Sequence, residues 1–260
     1  MKYLTKDWYN KMLCTSLYFG LKIDKRAEVF SEVFYQKLSK KEKKDFIKIH
    51  SFVMSYDKYK SIIQSTGLEV DEEKIRENFE LIEDPFQGMT IDEYFDYCQS
   101  LKKKELKEKL PKHILDKVKD IRVLALGYVS KDVYNLIKSY CDQNEKFFKD
   151  TYDKYNKLFE ETFKKDEIEY LKHSFHDAYI TEIKKEKRDI TFLINNEEAF
   201  TNIESIIFKN YNIVLDENVE KTYWLYDEIY KVDGGYEVHI LTEYDDLREF
   251  IIQCEDIILK

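Results

Sequence analysis

Apolar residues recur at intervals of three and four through the first two thirds of the chain and at intervals of two in the last third. The first spacing predicts helices and the second predicts strands. Thr5 is placed to cap a helix carrying Trp8, Met12 and Leu13 on one side, with Gly20 as its stop. Asp24 begins a second helix with Val29, Val33 and Phe34. Ser39 caps a third with Phe46, Ile49, Phe52 and Val53 along it, and the two pack as an antiparallel hairpin. Residues 64–70 read as a loop. Asp71 opens a helix with Ile75, Phe79 and Ile82, ended by the turn at Asp84, Pro85 and Gly88. Thr90 and Glu93 form a capping box for a helix reaching about residue 108, and Pro111 suits the first turn of the next. Gly127 closes the apolar stretch DIRVLALGYVS, and Ser130 caps the longest helix, 131–165, with Val133, Ile137, Tyr140, Phe147, Tyr155 and Leu158 along one face.

Near residue 170 the spacing changes to alternation, with strands expected at 175–184, 189–195, 203–214, 222–232, 236–243 and 249–259. The expected fold is therefore α+β: an N-terminal all-α helical bundle over residues 1–167, then an antiparallel β-sandwich or half-open barrel over 168–260. The clearest local signal is a hairpin from Thr222 to Leu241, turning at Asp233, Gly234 and Gly235. Its register decides which side chains meet. A loop at Asp233 and Gly234 sets Glu228 opposite His239 and Tyr230 opposite Glu237. A loop at Gly234 and Gly235 sets Tyr230 opposite His239, and a three-residue loop separates His239 from Glu228.

Composition adds that the chain folds and where its charge lies. Of 260 residues, 43% are hydrophobic, which is too many for a disordered chain, and only 6 Gly and 2 Pro interrupt the helices. No apolar run approaches a membrane span and the first residues are charged throughout, so the expectation is a cytoplasmic protein with no membrane partner. Cys14, Cys98, Cys141 and Cys254 are widely spaced and form no CxxC pair, which argues against a zinc ribbon or a disulfide framework. The net charge of -9 is uneven. Residues 1–165 carry 33 Lys and Arg against 29 Asp and Glu, and residues 166–260 carry 10 against 23. A surplus of thirteen negative charges on the last 95 residues repels phosphate, so nucleic acid is not expected at the β domain.

Two residue sets carry candidate chemistry. Trp224, Tyr226, Glu228 and Tyr230 alternate along one strand. Exposed, they offer flat rings and a carboxylate to a cationic partner; inward, they are the packed face of a sheet. Glu237 and His239 share a strand face, and His176 or Asp177 from the first strand could join them as metal ligands. The competing reading of these four is structural: a carbonyl-bonded His176, a turn-capping Asp177 and a His239 packed in a half-buried sheet. No phosphate loop, nucleophile elbow or HExxH is present.

The stretches DIRVLALGYVS, SFHDAYI, FTNIESIIFKNYNI, WLYDEIYKVDGGYEVHIL and CEDII resemble an uncharacterised bacterial family known only as a domain of unknown function. The resemblance implies a cytoplasmic bacterial protein and supplies no catalytic residues. The expected function is non-enzymatic and without cofactor: an acidic β domain that recognises a basic protein, as an antitoxin-like or immunity-like inhibitor would. The alternative is a metal-dependent hydrolase using His176, Asp177, Glu237 and His239.

Overall fold

The computed structural model describes residues 1–50, 56–66, 71–83, 86, 88–199 and 201–260. They form two compact units, Leu17–Ser139 and Met1–Ser16 together with Tyr140–Lys260. The fold is α+β, with most helices in the N-terminal half and one eight-stranded antiparallel sheet in the C-terminal half. Among the described residues, no helix is long and apolar enough to cross a membrane.

The unit Leu17–Ser139 holds helices α2 (Glu32–His50), α3 (Tyr56–Ser65), α4 (Glu72–Glu83), α5 (Ile91–Lys109), α6 (Lys112–Leu115) and α7 (Ile121–Ala125), of which α2, α5 and α7 enclose a core of Phe34, Leu38, Phe95, Val123, Leu126 and Tyr128. Helix α2 runs unbroken through Ser39, where a separate helix is expected. No Gly or Pro lies in that span, and one serine inside a helix costs too little to end it. Phe52, Val53, Asp84, Pro85 and the last four residues of the expected loop 64–70 lie outside the described residues. The capping box is formed: the Glu93 carboxylate accepts from the Thr90 backbone N–H at 2.8 Å, and the Thr90 hydroxyl oxygen accepts from the Glu93 N–H at 3.3 Å. Two short strands, β1 (Lys22–Ile23) and β2 (Tyr128–Val129), pair in parallel within this helical unit.

The second unit is organised by its sheet, in the order β10 (Asp256–Leu259), β5 (Ser205–Lys209), β4 (Asp189–Asn195), β3 (Tyr179–Lys185), β7 (Tyr223–Val232), β8 (Gly235–Glu243), β9 (Leu247–Cys254), β6 (Asn212–Asp216). The expected strands 203–214 and 249–259 are each interrupted once, at Asn210 and Tyr211 and at Glu255. Those interruptions close the sheet. Asp256 pairs with Lys209 at one end of the strand order, and Gln253 pairs with Asn212 at the other. Both ends are thus built from the same two bent strands, the half-open barrel of the two expected arrangements. Ile190, Phe192 and Ile194 alternate inward from β4, and they join Ile206, Phe208, Ile240, Phe250 and Ile252 in one buried cluster.

The barrel wall is incomplete between β3 and β7. Pairing there runs only through residues 177–180 and 221–224; the Asp177 N–H donates to the Trp224 carbonyl at 2.9 Å, and the Trp224 N–H to the Ala178 carbonyl at 2.8 Å. Past Trp224, no strand among the described residues pairs with the edge of β7 that faces β3. Instead the Ile229 N–H donates at 2.8 Å to the hydroxyl of Tyr155, on helix α8 (Lys131–Thr162). The outer side of β7 and β8 is covered by the first residues of the chain and by α8, whose Tyr155, Phe159 and Phe163 belong to the same core as Leu4, Trp8 and Tyr9. Helix α1 (Lys6–Met12) is capped by Thr5, as its sequence predicts, and stacks Trp8 on Phe148 with ring centres 4.9 Å apart.

Candidate binding cleft in the barrel wall

The hairpin turns at Asp233 and Gly234, so Glu228 stands opposite His239 and Tyr230 opposite Glu237. A β-bulge between Trp224 and Tyr226 corrects the expectation that all four aromatic and acidic positions share one face. The extra residue, Leu225, turns Trp224 to the side of Asp227 and Ile229, where its ring meets Phe175 and Phe192. Tyr226, Glu228 and Tyr230 stay on the outer side and are met there by the chain itself. The buried Glu228 carboxylate accepts backbone N–H groups from Lys2 at 2.8 Å, from Tyr3 at 2.7 Å and from Leu4, and the Tyr230 hydroxyl at 2.6 Å. The Lys2 ammonium lies 3.9 Å from the centre of the Tyr230 ring. The cation expected over these residues is therefore supplied from within the chain.

The expected metal ligands form two separate pairs. His176 Nδ1 is 2.9 Å from Asp177 Oδ2 in the turn before β3, not in a strand, and Asp177 adopts a left-handed φ of 67° that Asp tolerates better than most residues. His239 Nε2 is 2.8 Å from Glu237 Oε1 on the outer side of β8. Among the described residues no three His, Cys, Asp or Glu side chains are grouped to hold a metal ion. Burial keeps His239 below its usual pKa, against the opposing pull of the Glu237 bond. We assign its proton to Nε2, which donates to Glu237. That bond, with donors from Gln253 and Lys2, holds the Glu237 carboxyl down at about 2.

The gap between β3 and β7 opens into a cleft of about 600 Å³. Its walls come from Leu4, from α8 (Tyr152, Tyr155, Asn156, Phe159), from residues 171–177 and from residues 225–227 and 229. Tyr226 is the one member of the expected aromatic surface that reaches it. The feature that sequence reasoning missed is Asp227. It lies half-buried on the cleft wall, between the cleft and a small apolar void lined by Trp224, Phe208 and Val238. Trp224 Nε1–H donates to its Oδ1 at 3.1 Å, and no Lys, Arg or His among the described residues pairs with it. Desolvation, which the Trp224 bond opposes and the Glu228 charge reinforces, pushes its carboxyl up to about 7. A signal was present in the sequence: one carboxylate at an inward position between Leu225 and Ile229.

A family model described as "Protein of unknown function (DUF4085)" matches residues 53–254. The chain belongs to the DUF4085 family. That match takes in the turn at His176 and Asp177, all of β7 and β8, and the α8 residues that line the cleft, so apart from Leu4 the site lies within the DUF4085 region. No curated protein and no solved structure matches the chain.

Proposed function

We propose that this DUF4085 protein works by binding, and that its β unit takes a cationic side chain of a basic partner into the cleft between β3 and β7. The observation that carries the reading is the cleft wall itself: the rings of Tyr152, Phe175 and Tyr226 stand beside Asp177 and Asp227. Aromatic faces and carboxylates together select organic cations, and a barrel strand has little structural need of a carboxylate without a cation. The surplus of negative charge after residue 166 adds a long-range attraction for a basic protein and repels nucleic acid. An inhibitor of the antitoxin or immunity kind is one form that such a protein would take. The metal-dependent hydrolase alternative at His176, Asp177, Glu237 and His239 draws no support from two separated pairs.

The test uses the intact chain and three labelled probes followed by fluorescence anisotropy: a lysine and glycine decapeptide, its glutamate counterpart and duplex DNA. The lysine peptide is expected to bind, more weakly as salt rises, and to lose at least about tenfold in affinity in Asp177→Asn, Asp227→Asn. The same charge change made at the exposed Glu197 and Glu198 should cost much less. Preference for DNA or for the glutamate peptide, or equal losses from the two double variants, would overturn the reading.

A further inference from the structure

The cleft poses a question of charge that the fold leaves open. Every other buried or half-buried acidic group described above is matched: Glu228 by three backbone N–H groups and a phenol, Glu237 by His239, Gln253 and Lys2. Asp227 has only the indole N–H of Trp224 on Oδ1, and the residue lines the cleft on one side and the apolar void on the other. Its charged and titratable surroundings are few. From its own strand they are Tyr226 and Glu228; from α8, Tyr152 and Tyr155; from the segment after α9 (Lys165–Leu171), Lys172, His173, His176 and Asp177. Lys172 is engaged by Glu160 at 3.5 Å, and His176 by Asp177. The Tyr155 oxygen accepts from Ile229. None of these supplies a cation to Asp227.

We propose that the cleft is an organic-cation site in which an ammonium or guanidinium group replaces the proton on the Asp227 carboxyl. The proposal rests on the binding reading above and names the chemistry within it. In the empty cleft the carboxyl carries its proton below about pH 7, which costs less than a bare charge against Trp224 and the apolar void behind it. When the cation arrives, the carboxyl O–H bond breaks, its electron pair stays on the oxygen and the proton leaves to solvent. One positive charge enters and one departs, so the site keeps its net charge while gaining an ion pair walled by aromatic rings. Cation binding is thereby proton-linked: it weakens at low pH, where the proton competes, and strengthens once the carboxyl is ionised.

The closing experiment follows n-butylammonium and n-butylguanidinium chloride by NMR on the intact chain, at pH 5.5 and pH 8, with n-butyrate as the anionic control. Both cations stay protonated over this range. Affinity for at least one cation is expected to rise on the order of tenfold between the two pH values. At pH 5.5, adding the cation should move the Asp227 carboxyl carbon, identified by its loss in Asp227→Asn, to the ionised position. A His173→Asn, His176→Asn chain, which removes both imidazoles from the cleft, should keep the pH dependence, and Asp227→Asn should abolish it. Affinity independent of pH, a carboxyl signal unmoved by the cation, or equal binding in Asp227→Asn would overturn the proposal. So would a better fit for butyrate. Failure of the small cations while the lysine peptide still binds through Asp227 sinks this inference and spares the earlier reading. Proton-linked binding of the small cation without peptide binding does the reverse.

Discussion

At the scale of single residues, the β unit sets two carboxylates on neighbouring positions of one strand to opposite uses. Glu228 is held by donors on all sides, and Asp227 is left with one. The difference predicts a pH signature. The folded chain raises the Asp227 carboxyl from 3.8 to about 7, so between those values the folded state holds a proton that the unfolded chain has released. Stability contributed by that proton is complete below about pH 4, falls as pH rises through the window and levels off above about 7. Urea denaturation of Asp227→Asn should lack this decline, gaining up to about 4 kcal/mol on the parent chain between pH 4 and pH 8. A parallel loss in both proteins would show that Asp227 is ionised at neutral pH. Glu237 acts with the opposite sign: its depressed carboxyl supports the fold above about pH 4.5, and that support is lost as pH falls toward 2.

At the scale of elements, the hairpin and the three registers open to it were legible, and its bulge was not. Asp233 and Gly234 between two alternating runs leave few registers, and the apolar partners Val238, Ile240, Phe250 and Ile252 fix the one that buries them. A bulge depends on what packs against the strand rather than on the strand's own pattern, so Leu225 gave no sign that Trp224 would change sides. Helix caps were readable for the converse reason, since Thr5, Thr90 and Ser130 act on backbone groups three residues away. The hairpin carries a further constraint at Gly235. A Cβ there would stand 2.0 Å from the Cys254 carbonyl oxygen, on the neighbouring strand β9. Gly235→Ala should therefore part β8 from β9 at the turn end of the hairpin and cost about 2–4 kcal/mol, read as a lowered melting temperature. Gly234→Ala meets no neighbour and pays only for its left-handed φ of 83°, so it should cost about 1 kcal/mol. Equal effects from the two changes would contradict the close approach.

At the scale of the whole molecule, the helical and β-rich parts and the α+β class could be read from periodicity, but the membership of the second unit could not. The expected boundary between residues 167 and 168 rests on where alternation begins, whereas the compact unit also takes in Met1–Ser16 and residues 140–167. Nothing in the spacing of Leu4, Trp8 and Tyr9 says that their core partners lie in a sheet more than two hundred residues away. The Cys14 and Tyr140 side chains are hydrogen-bonded, so the two points where the chain leaves and re-enters this unit are close together. Joining Ser16 to Tyr140 through a short glycine and serine linker should give a soluble, cooperatively unfolding protein with a mixed helix and sheet circular dichroism spectrum. The same protein without residues 1–16 should be much less stable, and equal stability would remove the first segment from the core. The layout also orders events on the ribosome. Leu17–Ser139 is complete before any strand of the barrel is made, while the Leu4 N–H waits for an acceptor 224 residues downstream. At a synthesis rate of roughly 5–20 residues per second that is a wait of roughly 10–45 s. Through that interval Leu4, Trp8 and Tyr9 lack the strands that share their core in the folded chain, so their apolar surfaces stay uncovered until the sheet is made.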